Sequence, residues 1–196
     1  MEQKRKTNTK ENIKKAFIKL IKDKGFDSLT VSDLAREANI NRGTFYLHYL
    51  DKYDLLDQLE KDVIEDLEEI LLTNSELEKT DDPIELIPYE KILEALYYIK
   101  EDYHFIEALA GDGGDPNFIQ NIENVISEMI QSKIEETDNQ LRSEDYLPAD
   151  YAEKIFLSSV VTIIYLWIEK GTYESPEQIA RIITKAKQIS PFDLLI

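Results

Sequence analysis

Leu29-Thr30-Val31-Ser32-Asp33-Leu34-Ala35, followed after two residues by Ala38-Asn39-Ile40-Asn41-Arg42-Gly43-Thr44-Phe45-Tyr46-Leu47-His48-Tyr49, is the stretch that decides the fold. Thr30 and Asp33 stand at the spacing of a capping signature, which predicts a short helix with Val31, Leu34, Ala35 and Ala38 inward and a stop near Asn39. Asn41 can cap a second short helix whose Phe45 and Tyr49, at i and i+4, face inward with Ile40. Upstream, Asn8-Thr9-Lys10-Glu11 carries the same capping pattern ahead of Ile13, Ala16, Phe17, Leu20 and Ile21. The opposite face holds Lys14, Lys15, Lys19 and Lys22, and Gly25 supplies a left-handed helix end. One longer basic helix and two short ones joined by a tight turn make a helix-turn-helix, whose last helix fits a DNA groove about 12 Å wide.

The pattern stays helical downstream. Asp51 caps a longer helix in which Leu55, Leu56, Leu59, Val63, Leu67 and Ile70 keep a 3.6-residue period to about Leu72. Residues 73–88 are polar, with Pro83 and Pro88 as breakers, and predict a loop. Helical patterns follow from Tyr89 to Ala110 and, after Gly111-Asp112-Gly113-Gly114-Asp115-Pro116, from Pro116 onward. There Asp115 is the expected cap, with Phe118, Ile119, Ile122, Val125, Ile126, Met129 and Ile130 inward. Two more helices are expected, from about Ala149 to Lys170, ended by Gly171, and from Ser175 to Gln188. Neither a strand nor an internal repeat is evident, so the chain reads as all-α: a helix-turn-helix domain in residues 1–52 and a helical bundle in residues 53–196.

Charge sharpens that division. The 196-residue chain carries a net charge of −17, which by itself speaks against a polyanionic partner. Yet residues 1–52 hold 12 Lys and Arg against 7 Asp and Glu, whereas residues 53–196 hold 11 against 33. The absence of cysteine excludes disulfides, thiolate zinc sites and cysteine nucleophiles, and His48 and His104 are the only imidazoles. No catalytic residue, metal ligand or cofactor is expected. The Gly/Asp loop at 111–115 lacks the spacing and closing Glu of a calcium loop. The uncharged run Ile155–Ile168 spans 14 residues, short of a bilayer, and the N-terminus has no export signal, so the expected location is the cytoplasm, with no membrane partner.

The outward residues of the third helix, Arg42, Gly43, Thr44, Tyr46, Leu47 and His48, are not the charged filler of an ordinary solvated face. Gly43 weakens the helix by roughly 1 kcal/mol relative to Ala and lets the backbone come close to something. With these residues in place, and with Asp51-Lys52 and Leu55-Leu56 behind them, residues 8–56 resemble the tetracycline-repressor-like (TetR) transcriptional regulators. Tyr49 and Tyr53 depart from that family's usual Phe and acidic residue. The resemblance implies that Thr30 contacts a phosphate, that Asn41, Tyr46 and His48 hold the phosphodiester backbone, and that Lys52 adds charge at the start of the next helix. It implies further that Arg42, Gly43 and Thr44 approach base edges, Arg42 suited to guanine and Thr44 to a thymine methyl or base acceptor, with Ser32 a weaker base contact. Lys4, Arg5 and Lys6 form a flexible basic arm or a solubilising tail.

A single reading head neutralises few phosphates, so a two-fold dimer on double-stranded operator DNA is expected. The apolar excess of Tyr151–Ile168, with the helix after Ser175, supplies the expected homodimer face: Ile155, Val160, Ile164, Trp167, Ile179, Ile182 and Ile183. The resemblance also implies a small-molecule inducer in the C-terminal domain, for which Tyr97, Tyr103, His104, Phe105 and Phe118 are the candidates, although aromatics at helical spacing more often form core. The aromatic helix and Gly-Asp-Pro turn look like the C-terminal domain of a Firmicutes-type subgroup of the family. The expected function is therefore a DNA-binding regulator, a repressor released by ligand. The alternative is a protein-interaction module or co-activator partner that uses the same scaffold without an inducer.

Overall fold

A computed structural model describes residues 2–72, 88–111, 113–137 and 148–186. All regular structure among the described residues is helical: α1 Glu2–Ser28, α2 Val31–Glu37, α3 Arg42–Tyr46, α4 Lys52–Leu72, α5 Tyr89–Glu101, α6 Tyr103–Ala110, α7 Phe118–Thr137, α8 Ala149–Glu169 and α9 Pro176–Ala186. The loop expected at residues 73–88 lies, except for Pro88, outside the described residues, as does the end of the last helix beyond Ala186.

The chain groups into two compact units. The first takes in the described residues up to Val63 together with His104–Phe118; the second takes in those of Ile64–Tyr103 and those from Ile119 onward. Compactness thus divides the molecule at other points than the division expected at 52/53, because the helical segment after Tyr103 groups with the first helices.

In the first unit the predicted caps at Thr30, Asn41 and Asp51 are in place. Thr30 caps α2 in a complete capping box: the Asp33 amide donates to Thr30 Oγ1 (3.2 Å), and the Thr30 amide and hydroxyl donate to Asp33 Oδ2 (3.2 and 2.7 Å). Asn39 takes the left-handed conformation that ends α2, with φ 54°. Asn41 caps α3, and Asp51 caps α4 by accepting from the amides of Tyr53 and Asp54. Ile13, Phe17, Leu34, Phe45, Leu55, Phe105 and Leu109 are among the side chains that close the core. At about 25 cal/mol per Å² of apolar surface removed from water, their burial is the main term holding these short helices, which would not persist alone.

Two boundaries differ from the sequence reading. Asn8 and Glu11 lie inside α1, which starts at Glu2, so Asn8 is not its cap and the residues read as a flexible arm continue the helix. At the other end the chain turns out of the helix at Gly25 (φ 74°, ψ 161°), as expected, but a further helical turn reaches Ser28. The amide of Phe26, freed by that break, donates to the carbonyl of Gly113 at 2.9 Å. Gly113 sits close enough that a Cβ there would lie 3.2 Å from the Ile21 carbonyl. Asp115 accepts from the Asn117 amide in a turn, and α7 begins at Phe118 rather than at Pro116.

The second unit packs α9 against both α5 and α8. Ser175 and Gln178 start α9 with reciprocal bonds, the Ser175 amide to Gln178 Oε1 (2.8 Å) and the Gln178 amide to Ser175 Oγ (3.3 Å), with Pro176 at its first position. Trp167 is fully buried and its indole N–H donates to the Glu174 carbonyl at 3.1 Å. Counted over Asp150–Glu169 instead of the uncharged run alone, α8 is long and apolar enough, by length and composition only, to cross a membrane. Only 28% of its most apolar window is buried.

Candidate nucleic-acid interface

The surface expected to meet DNA starts from the cap of α3. Asn41 Oδ1 accepts from the Thr44 amide (2.7 Å) and from the Thr44 hydroxyl (3.1 Å), so cap and helix start form one rigid piece. Phe45 and Tyr49 are buried beneath it, with ring centroids 5.5 Å apart, and burial pushes the Tyr49 phenol up to about 12, helped by the carboxylates of Asp62 and Asp54. With that pair inward, Asn41, Arg42, Gly43 and Tyr46 are exposed, while Thr44 and His48 are half-exposed. Arg42 Nη2 donates to the Tyr46 hydroxyl at 3.1 Å, and its guanidinium lies 5.8 Å from the Tyr46 ring. A Cβ on Gly43 would stand 3.1 Å from Asn41 Oδ1, so the missing side chain keeps the cap uncrowded as well as the surface low.

Thr30 and Ser32, at the start of α2, are also exposed. Asp33 beneath them is held far below the ordinary carboxylate range by Lys24 first and then by Thr30. Lys24 Nζ and Arg36 Nη2 reach its two oxygens at 2.5 and 2.6 Å, which ties α1 to α2.

Lys52 is used differently from the expectation. Its ammonium donates to the carbonyls of Phe26 and Asp27, both at 2.9 Å, and lies 4.7 Å from the Phe26 ring and 5.1 Å from the Tyr53 ring. Two of its three protons and its apolar stem therefore fasten the end of α1 to the start of α4. That gives its position a packing role.

Other cations of the basic N-terminal part are also spent inside the unit. Lys19 pairs with Glu37 at 2.6 Å, Lys22 pairs with Glu107, and the Lys14 ammonium lies 3.7 Å from the Phe105 ring. Sequence reasoning assigned that charge to a surface; tertiary pairing, invisible in one sequence, assigns much of it to the fold.

Residues 13–59 match the family model for bacterial regulatory proteins of the tetR family, and residues 88–187, half of the chain, match the one for its transcriptional regulator C-terminal region. The chain belongs to the tetR family. YxbF of Bacillus subtilis (strain 168), an uncharacterized HTH-type transcriptional regulator, is 23% identical over 194 residues, which are 98% of this chain and 48% of YxbF. The chain thus spans about half the length of that curated relative. Among solved structures, a TetR transcriptional regulator from Streptococcus agalactiae 2603V is 22% identical with a TM-score of 0.64, covering 95% of this chain and 97% of its own. The regulator FadR from Bacillus subtilis, in complex with stearoyl-CoA, is 15% identical with a TM-score of 0.60, covering 90% and 96%. At such identities these likenesses show the fold.

The remaining expected sites of this tetR-family chain fall as follows. Phe105 and Phe118 are core side chains of the first unit, both 1% exposed, whereas His104 stands out from the same segment. Tyr97 and Tyr103 belong to the second unit, where the Tyr97 hydroxyl donates to Glu177 and Ser175 and Tyr97 draw that carboxyl down to about 2. The five are therefore divided between the units, and the two phenylalanines act as packing.

The expected dimer set also divides. Val160, Trp167, Ile179 and Ile183 are buried within the single chain, while Ile155 (59% exposed), Ile182 (46%) and in part Ile164 reach the surface. Periodicity marks these helices as apolar but not which of their faces the chain itself covers.

Proposed function

We propose that the chain is a sequence-specific, DNA-binding transcriptional regulator that acts as a homodimer and, by default, as a repressor released by a small molecule. One observation carries the reading. α3 is capped by Asn41 and anchored by Phe45 and Tyr49, and it presents Arg42, Gly43, Thr44 and Tyr46 outward on a short, rigid helix of groove size. In this reading Arg42 and Thr44 face base edges, Asn41, Tyr46, His48 and Thr30 face phosphates with Ser32 nearby, and no residue is catalytic. Lys52 acts through packing. Because duplex DNA is the target, the place of action is the cytoplasm.

The dimer contact is assigned to the uncovered apolar side of α8, at Tyr151, Ile155 and Leu166, with Ile182 of α9; the first three recur at helical spacing and are 64%, 59% and 46% exposed. α4, continuous from Lys52 to Leu72, contributes residues to both compact units and is the covalent route by which a ligand effect would reach the head. The stearoyl-CoA bound by the structurally similar FadR supports a ligand-responsive second unit, without specifying this chain's inducer.

The test is retention of duplexes from a random-sequence pool by the full-length protein. A recovered site should bind with an affinity that falls steeply with salt, and Arg42→Ala should weaken it about 10- to 100-fold. Recovery of no preferred sequence, or an affinity indifferent to salt, would refute the reading.

A further inference from the structure

The most exposed large apolar side chain of α2 and α3 is Leu47, 82% exposed at the C-cap of α3. Its place on the helix is unusual. Phe45 and Tyr49 are 0% and 4% exposed, and at roughly 100° per residue the position between them points directly away from the core. Backbone bonds from the His48 and Tyr49 amides to the Phe45 carbonyl, 2.9 and 3.0 Å, keep the helical turn through Leu47, so this geometry holds there.

Gly43, one turn earlier, lies on the same outermost line and contributes no side chain. Polar pairs flank that line: Arg42 with Tyr46 on one side, joined by their hydrogen bond, and Thr44 with His48 on the other. An isobutyl group therefore crowns the helix between polar rows, with clearance in front of it.

If α3 enters a major groove, its outermost line goes deepest, to the base edges. Those edges are mostly hydrogen-bond donors and acceptors, and their one bulky apolar group is the C5-methyl of thymine. A leucine pressed on the N4 amino group of cytosine or the O6 and N7 of guanine would leave those groups without water or a partner, which is costly. Against the thymine methyl it removes apolar surface of both partners from water.

We propose that Leu47 is a specificity-determining residue that selects thymine at one position of each operator half-site through contact with the C5-methyl. This rests on the DNA-binding reading above and adds to it the base that the centre of the helix reads. Leu50, equally exposed at 81% but beyond the helical turn, is the internal control.

The experiment uses the full-length protein and the duplex recovered from the random pool, with each thymine replaced in turn by deoxyuridine, which removes only the methyl. Affinities are read by fluorescence anisotropy at one salt concentration. At one symmetric pair of thymines the wild type should lose about fourfold per half-site, the worth of one methyl group. Leu47→Ala should bind the thymine and deoxyuridine duplexes equally, and Leu50→Ala should keep the wild-type difference; because Leu47 is at the surface, its variant should unfold at the wild-type temperature. A recovered site without thymine, indifference of the wild type to every replacement, or an undiminished difference in Leu47→Ala overturns the proposal while leaving the regulator reading intact. Failure to recover any site removes the reading itself.

Discussion

α3 and α8 both leave side chains uncovered, but of opposite kinds. α3 shows a mainly polar surface whose members are fixed to one another, Asn41 to Thr44 and Arg42 to Tyr46, around a single outward leucine. α8 shows an apolar row, Tyr151, Ile155 and Leu166, next to a buried Trp167. A polar surface held rigid in advance suits a charged, hydrogen-bonding partner, since little ordering remains to be done on binding; an apolar row suits a second apolar surface. The difference teaches that exposure alone does not define an interface. What matters is whether the exposed groups are already satisfied in water.

The strongest way to break that comparison is within α8. Trp167→Ala should cost about 3–5 kcal/mol of stability and lower the unfolding temperature, as expected for a core indole. Ile155→Glu combined with Ile182→Glu should leave helicity and unfolding temperature nearly unchanged and convert the proposed dimer to a monomer in sedimentation. Separation of subunits by Trp167→Ala without loss of stability would reverse the assignment.

A second test concerns polar groups that water does not satisfy. Glu60 in α4 is 7% exposed, its Oε1 has no hydrogen-bond partner, and burial, then Asp115, then Asp57 push its carboxyl up to about 8. The folded state keeps a proton that the unfolded chain releases, so stability should fall as pH rises from about 4.5 to about 8 and level off above that. Glu60→Gln should remove that slope and gain on the order of a few kcal/mol near pH 8–9, read as denaturant midpoints across pH. An unchanged slope would show that Glu60 is hydrated.

Lys52→Met sharpens the head itself. The loss of two charged hydrogen bonds to carbonyls should cost about 2 kcal/mol of stability, whereas the slope of log affinity against log salt for the recovered duplex should stay as in the wild type. A slope smaller by about 1 would restore a phosphate contact to this lysine. The smallest effect is expected at Gly43. The helix propensity gained by Gly43→Ala, about 1 kcal/mol, is set against crowding from a 3.1 Å approach to Asn41 Oδ1, so the unfolding temperature should hardly move while DNA affinity falls. A large drop in unfolding temperature would mean the cap cannot adjust.

The head was legible because its decisive interactions join residues three or four apart. Thr30 with Asp33, Asn41 with Thr44 and Phe45 with Tyr49 are local, and capping chemistry and periodicity report such pairs directly. The packing role of Lys52 was not legible because its partners, the carbonyls of Phe26 and Asp27, are backbone atoms 25 or more residues away. Glu60 gave no signal because an acid among charged neighbours on a helix looks solvated until the segment that covers it is known. In α8 a helix apolar almost all round has no unique inner face in its sequence; the fold picks one by burying Val160 and Trp167 and leaving Ile155 outside.

The return of residues 104–118 to the head has a consequence for how such a molecule can be cut. Phe105, Ile106 and Leu109 fill a core whose other walls are made before Val63, and Gly113 receives the amide that the break at Gly25 leaves over. A fragment ending at Val63 would expose that apolar floor and orphan that amide. The reader is thus no cassette to be grafted by a single scission: any chimera that keeps it whole must also carry a short stitch from forty residues downstream.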